Sequence, residues 1–563
     1  MKKKGIAILR SVMLATMAAV FLTACSGSNE SQEYYSEERG NATEAANEDE
    51  ASGEGIAPDG TALNRKEQTL SGTYGSGGDM GGADSGGAYA GVADDLYAKN
   101  EEVISMINDA YDTYLEKIVS DPVRLEEIEE KTGTMDTEDG AEEYTYYAME
   151  YNGKTMRYYV NIIGEPDEGG KYPLYIALHG GGGGGPEIND EQWHDMFTYY
   201  CGSLENGIYV ACRGIEDTWD THFRPESYYF YDRLIENMAA FYYADPNRVY
   251  LLGFSAGGDG VYAITPRMAD RFAAVNMSSG HPNGVSLLNA ANLAFEIQAG
   301  IRDYYSADAK RSIRAAEFEK TLTDFNRKYG FGFEHRVLIH VPEGHNYDDC
   351  DMEWEAKDRK VLVHPEEFAE RAVEENWLDS MLEAMGNDYL DDYDGAVAEL
   401  SYAYEEGLDP AIEQLIEGEF GMETEYTDTN AVRYVSQFVR SPAPENIIWD
   451  LGTRADSRNV TSFYWLAADM SVNRGIILAS YDYDTNTIFV EPDENVNGDF
   501  DILFNPRLMN VADPITIVTP EGSMTVEVKP SQETINEAIE MTGDKFLAYV
   551  DKISYSDVME QVG

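Results

Sequence analysis

Cysteine is scarce in this chain of 563 residues: only positions 25, 201, 212 and 350 carry it, with no C-x-x-C pair. Zinc ribbons and dithiol redox motifs are therefore unsupported. One disulfide among Cys201, Cys212 and Cys350 is compatible with the sequence, which does not choose the pair. Basic residues are few as well, 41 Lys and Arg against 104 Asp and Glu, for a formal net charge of −63. That field disfavours nucleic acid, polyanionic substrates and direct adsorption to anionic lipid. It leaves neutral or cationic substrates, beside a plain role in solubility. Long apolar runs are also missing: the N-terminal one, Ser11 to Leu22, is too short to span a bilayer. From 25 to 93 the chain has almost no aliphatic residues, as in GSGGDMGGADSGGAYAGVADD. Such a segment cannot bury enough apolar surface to offset its chain entropy, so a disordered, acidic Gly/Ser-rich tether is expected.

What the N-terminus does contain is informative. MKKK, the short apolar run and Leu22-Thr23-Ala24-Cys25 have the layout of a secretory signal over 1–24. Leu-Thr-Ala-Cys resembles a bacterial lipobox, which implies cleavage before Cys25 and a lipid on its sulfur. A bilayer is then a partner through lipidated Cys25, and the expected location is the extracellular face of a bacterial membrane.

About 470 residues follow the tether, enough for two or three domains. The stretch 94–135 carries Val103, Ile104, Ile107, Tyr111, Leu115 and Ile118 at helical spacing and reads as one amphipathic helix packed on the body. Two strand-like runs joined by Asn152-Gly153 then signal a type I′ hairpin. Strand-like runs at 174–178, 208–212, 249–254, 273–277, 294–298 and 337–341 alternate with helical stretches such as 189–200 and 227–243. That alternation predicts an α/β class for 141–385, a mostly parallel sheet with helices on both faces. Residues 386–428 read as an acidic helical insertion or linker. Residues 429–555 read as a small antiparallel β domain, with turn signals at 484–486 and 520–522.

One short stretch carries the chemistry. Gly253-Phe254-Ser255-Ala256-Gly257-Gly258 follows the apolar run Val249 to Leu252 and leads into a helical stretch. A serine nucleophile needs a tight strand-to-helix turn with small neighbours, so that substrate can approach Oγ. Acyl transfer also needs preorganised N–H donors for the oxyanion. These are expected from the glycine run HGGGGGG, about 75 residues upstream, through Gly180, Gly181 and Gly182, and from the Ala256 N–H. The base and acid should follow their own strands. His345, in VPEGHNY, is the candidate base and Asp303, in AGIRDYY, the candidate acid, with Asp308, Glu343 and Asp348 nearby as alternatives. Of the other histidines, His281 is expected at the pocket, His179 as an anchor of the glycine loop, and His335 and His340 as structural residues.

Together DPNRVYLLGFSAGG, HGGGGGG and EGHN resemble the α/β-hydrolase superfamily, nearest to secreted polyhydroxybutyrate depolymerases and feruloyl esterases, over residues 144–380. The resemblance implies a Ser255, Asp303, His345 triad, an acyl-enzyme at Ser255 and no metal or organic cofactor. The acid segment departs from the relatives' Gly-x-x-Asp followed by a short polar or proline-containing turn, so Asp303 is the weakest of the three assignments. The substrate this implies is an ester, either a feruloyl or acetyl ester of polysaccharide or a polyester. A serine peptidase of the same fold, and a polymer-binding lipoprotein whose hydrolase site has lost its chemistry, are the alternatives.

Asp493 to Gly498 matches the front half of a calcium loop, but Phe504 stands at the twelfth position where a bidentate Glu is needed, so a turn is favoured. The C-terminal region is open to three roles: presenting substrate, closing over the active site, or structure alone.

Overall fold

A computed structural model describes residues 89–137, 140–303, 310–341, 343–347, 360–362, 429–455 and 457–562. Cys25, Cys350 and the expected insertion at 386–428 lie outside the described residues. Among the described residues no helix is long and apolar enough to cross a membrane.

The stretch read as one helix over 94–135 is three elements. Helix α1 is Tyr89–Ser120, beginning inside the expected tether; α2 is Pro122–Glu127; strand β1 is Lys131–Thr137. Asp121 ends α1 because a residue before proline is pushed out of the helical region. It sits at φ −74°, ψ 121°, and its side chain accepts the N–H of Val123. β1 is a strand because β2 pairs with it, Lys131 opposite Tyr146. Local periodicity does not report such a tertiary partner.

β2 (Gly140–Tyr151) and β3 (Lys154–Ile163) form the expected hairpin. Asn152 and Gly153 have φ of 50° and 73°, the signs that a type I′ turn requires. The chain then alternates: β4 (Tyr172–Leu178), α3 (Pro186–Asp195), β5 (Gly207–Cys212), α4 (Ser227–Tyr242), β6 (Ala244–Phe254), α5 (Ala256–Met268), β7 (Ala274–Ser278), β8 (Ala294–Gly300), α6 (Arg311–Tyr329) and β9 (His335–Val341). The helix expected over 189–200 is thus earlier and shorter. β10 (Lys360–Leu362) pairs antiparallel with β9.

The ten strands lie in the order β1-β2-β3-β5-β4-β6-β7-β8-β9-β10. β3 runs antiparallel to β5, and β5 through β9 are parallel. An antiparallel strand, β3, beside the parallel set, the crossed pair β5 and β4, and a serine turn after the next strand, β6, constitute the α/β-hydrolase fold. Both faces of the sheet are covered. Leu174, Ile176 and Leu178 join the layer of α1, α4 and α5, while Tyr175 and Ala177 face Trp193 of α3 and Val432 and Val435 of α7 (Ala431–Val435). Cys201 and Cys212 are both free thiols.

The C-terminal strands are β11 (Asn446–Asp450), β12 (Ser462–Phe463), β13 (Leu466–Ala467), β14 (Ile476–Asp482), β15 (Thr487–Pro492), β16 (Asp501–Leu503), β17 (Ile515–Thr519) and β18 (Gly522–Val526). Helix α8 (Gln532–Thr542), β19 (Lys552–Ser554) and α9 (Tyr555–Val562) follow. They build two sheets, β11-β14-β15-β17-β18 and β12-β13-β16-β19. The expectation of purely antiparallel pairing is corrected at one place: β15 and β17 are parallel, because β16 leaves for the second sheet between them. The region has no separate core. Trp449, Trp465, Ile502 and Ile535 belong to the same buried cluster as Ile176 and Leu251 of the body.

A buried cluster of three arginines and three aspartates ties the two regions together. Asp232 accepts from Arg271 at 2.7 Å and from Arg458 at 2.8 Å; Arg458 also reaches Asp270 at 3.2 Å, and Arg440 reaches Asp544 at 2.6 Å. Burial alone would raise the carboxyls of Asp232 and Asp544, but Arg458 and Arg271 hold the first, and Arg440 and Arg271 the second, below the ordinary carboxylate range. Arg440 N–H also donates to the carbonyl of Asn247, at the start of β6, and Asn289, before β8, donates to the carbonyl of Asp450. These contacts lie at the amino ends of the parallel strands.

Candidate active site

Open parallel sheets place their loops for ligands beyond the carboxyl ends of the strands, and the sequence-expected residues collect there. Ser255 follows β6 directly. Its backbone is at φ 56°, ψ −120°, a left-handed conformation that only tight packing enforces on a residue with a side chain. The packing is visible at the flanking glycines. A Cβ on Gly253 would lie 2.2 Å from the carbonyl oxygen of Gly257, and one on Gly257 would lie 2.1 Å from that of Leu178. Small residues are therefore a steric requirement of this turn, and Ser255 N–H donating to Ser278 O at 2.9 Å holds it to β7.

His345 follows β9, and its Nε2 lies 2.9 Å from Ser255 Oγ. Its Nδ1 lies 3.0 and 3.1 Å from the two carboxylate oxygens of Asp303, which follows β8. A carboxylate only accepts, so Nδ1 carries the proton and Nε2 is free to accept from the serine hydroxyl. Ser279 Oγ donates to His345 O at 2.7 Å, fixing the backbone behind the ring. Arg311 Nη1 stands 3.7 Å from Asp303 Oδ1. All three residues of the chain are buried. Of the alternatives to Asp303, Asp308 and Asp348 lie outside the described residues, and Glu343 is met through its carbonyl, which accepts from Arg302 N–H.

The glycine loop leaves β4 beside this group. A Cβ built on Gly180 would lie 3.3 Å from Ser255 Cβ, and one on Gly182 would lie 3.2 Å from Ala256 Cβ. Gly181 and Gly182 have φ of 100° and 69°, open to glycine. Ala256 is the first residue of α5, so its N–H has no partner inside the helix and the helix dipole favours negative charge beside it. Gly180, Gly182 and Ala256 are thus brought beside Ser255, while Gly181 packs toward Asn189 and Gln192.

The loop rests on polar side chains. Gly214 N–H donates to His179 Nε2 at 3.0 Å, so the proton is on Nδ1, which donates to Gly180 O. Asn189 Nδ2 donates to Gly182 O at 2.7 Å and to Asp217 Oδ1 at 2.9 Å. His222 Nε2 donates to His179 O at 2.8 Å. Burial, the neighbouring His222 and Arg213 hold the His179 ring far below its usual range, and burial, with Arg213 beside it, lowers His222 to about 3. His179 is an anchor as expected. Asn189, Asp217 and His222 were not legible in the sequence, because nothing local distinguishes them from other polar residues of α3 and the 213–226 loop.

Trp219, on that same loop, borders the glycines: its Cα would be 3.4 Å from a Cβ on Gly182. It is 44% exposed, whereas Trp193, Trp449 and Trp465 are buried, and its ring packs edgewise on Phe223 at 5.2 Å. On the other side of Ser255, Asp259 Oδ1 accepts from His281 N–H at 2.6 Å, and the His281 ring bonds Asn283 at 2.8 Å. Burial pushes the Asp259 carboxyl up. His335 and His340 are structural, bonded to Phe333 O and Gln298 Oε1. The 493–498 stretch is a turn between β15 and β16, with Asp493 Oδ1 accepting from Asn495 N–H at 2.9 Å. Phe504 is buried. Among the described residues no group of three His, Cys, Asp or Glu is placed to hold a metal ion.

No protein-family profile matches the chain, and no curated protein matches it. Solved structures do. A thermostable esterase matches at 16% identity over 36% of this chain, with a TM-score of 0.25, so the match spans 60% of the esterase's own length. The poly(3-hydroxybutyrate) depolymerase from Bordetella parapertussis matches at 16% identity over 40% of this chain and 88% of its own, with a TM-score of 0.29. The acetyl xylan esterase from Aspergillus awamori matches at 12% over 32% and 76%, with a TM-score of 0.23. Likeness at this level says nothing of chemistry. The assignment of this chain to the α/β-hydrolase fold rests on its own strand order and serine turn.

Proposed function

We propose that the protein is a serine hydrolase that cleaves carboxylic esters through an acyl-enzyme at Ser255. One observation carries the reading: a strained serine whose Oγ meets His345 Nε2 at 2.9 Å while Asp303 holds the opposite ring nitrogen. Ser255 Oγ attacks the ester carbonyl as its proton passes to His345 Nε2. Asp303 stabilises the imidazolium. The oxyanion is met by N–H groups of the Gly180–Gly182 backbone and of Ala256. Collapse releases the alcohol, which takes the proton from His345. A water then attacks the acyl-enzyme and gives its proton to His345 Nε2, and collapse frees the acid as the Ser255 oxygen takes that proton back. A hydrolase site that had lost its chemistry would have no physical need for the strained serine, the base and the glycine loop together.

The substrate class follows from the rim. Trp219, whose backbone borders the oxyanion loop and whose side chain is exposed, offers a flat apolar plate near the site, which favours an ester carrying a ring, whether a feruloyl group or the sugar of an acetylated polysaccharide. The proposal extends to location: the outer face of a bacterial membrane, held by lipid on Cys25. Cys25→Ala is then expected to shift the protein from membrane to soluble fractions on cell fractionation.

The direct test is a fluorophosphonate probe on the full chain, with the adduct located by mass spectrometry. The expected result is labelling of Ser255 that disappears in Ser255→Ala and His345→Ala. A folded wild type that takes no label would end the hydrolase reading.

A further inference from the structure

The proposed hydrolysis needs peptide N–H groups of the glycine loop to face the oxyanion, and glycine peptides can flip. A trans peptide carries its C=O and N–H on opposite sides, so pinning the carbonyl fixes the direction of the next N–H. Three carbonyls of this loop are pinned by side chains. His222 holds His179 O and so sets Gly180 N–H; His179 holds Gly180 O and sets Gly181 N–H; Asn189 holds Gly182 O and sets Gly183 N–H.

We propose that His222 is a positioning residue for the oxyanion loop, acting only as a neutral hydrogen-bond donor and never as a base; the inference rests on the hydrolase reading above. His222 stands at the start of this chain of bonds. A carbonyl only accepts, so its Nε2 must carry the proton. The residue is 1% exposed, its ring stands 4.5 Å from the His179 ring, and its Cβ packs against Gly260 of α5, where a Cβ would come to 2.9 Å. Nδ1 is buried with no hydrogen-bond partner among the described residues, so nothing there would accept a second proton's hydrogen bond. Among the described residues the titratable ring that meets it is His179, itself held neutral by Gly214 N–H on one nitrogen and Gly180 O on the other. Arg213 adds positive charge from the same loop. Everything around His222 therefore selects the uncharged donor. Its position is itself fixed, since the His222 carbonyl accepts from Tyr231 Oη at 2.9 Å.

The test compares wild type, His222→Leu and His222→Gln in steady-state hydrolysis of a small aryl acetate and in the rate of fluorophosphonate labelling of Ser255. Both readouts place an oxygen in the oxyanion site. His222→Leu is expected to lower kcat and the labelling rate roughly 10- to 100-fold while KM stays within about twofold. His222→Gln keeps an N–H donor and is expected to recover most of that loss. A folded His222→Leu that labels and turns over at the wild-type rate, or a His222→Gln no better than His222→Leu, overturns the inference. A wild type that does not label at all instead overturns the hydrolase reading, so the two failures are distinct. Should His222→Leu not fold, the imidazole ¹⁵N signals of wild-type His222 decide: a protonated Nε2 and bare Nδ1, unchanged from about pH 5 to 9, are expected, and a ring that takes a second proton in that range refutes it.

Discussion

Ser255 sits at a φ of 56° that costs a side-chain-bearing residue on the order of 1–3 kcal/mol, and the surrounding backbone enforces it. Comparing two inactive variants isolates that strain. Ser255→Gly is expected to unfold later than Ser255→Ala by roughly 1 kcal/mol, because both lose Oγ but only glycine relaxes in this conformation. Equal melting would mean that the turn is not strained. Trp219 is tested at the same scale. Trp219→Ala is expected to raise KM for an ester with an aromatic acyl group about tenfold and to leave KM for a simple acetate ester little changed. Equal KM values for both substrates would remove the indole from the binding site. Ser255 and His345 were legible because each stands in a short motif whose shape is local. Asp303 was legible only by its order after a strand. His222 and Asn189 were not, since what matters in them is a carbonyl held across the 213–226 loop or helix α3, and single residues do not announce such partners.

At the scale of elements, strands buried on both faces were the clearest part of the sequence, because β4 through β9 each carry a mostly apolar core, such as PLYIAL in β4 and IYVAC in β5. β1 did not, being polar and only half-buried; only its pairing with β2 makes it a strand. The parallel pair β15 and β17 was equally hidden, as it depends on where β16 goes. The β2–β3 turn gives an element-level expectation. Gly153→Val, which puts a β-branched side chain at φ 73°, should destabilise the protein by about 1–2 kcal/mol in denaturant melts while leaving the carboxyl-end loops untouched. Loss of more than half the activity in the folded variant would contradict that separation.

Across the whole molecule, the arginine–aspartate cluster joins residues far apart in the chain, Asp232 and Arg458 being 226 positions apart, and no sequence window contains it. Asp232 and Asp544 have lowered pKa values in the folded chain. Their contribution is therefore fully present above the ordinary aspartate range, near pH 4, and is lost as the pH falls below that through the folded values. Melting temperature is expected to drop steeply below about pH 4, and Arg458→Met, which leaves Asp232 short of a buried counter-charge, should cost about 3–5 kcal/mol and reduce that acid dependence. Unchanged stability would show that Arg271 alone suffices for Asp232.

The same cluster sets the order in which a newly made chain can become complete. Ser255, Asp303 and His345 have all been synthesised by residue 345, yet Asp232, Asp270 and Arg271 still await Arg440, Arg458 and Asp544. A growing chain carries its reactive serine long before the surrounding protein can close, so interrupted synthesis should yield no stray hydrolase. A fragment ending at residue 428 holds every proposed catalytic group and is expected neither to fold nor to take the fluorophosphonate label until residues 429–563 are supplied beside it.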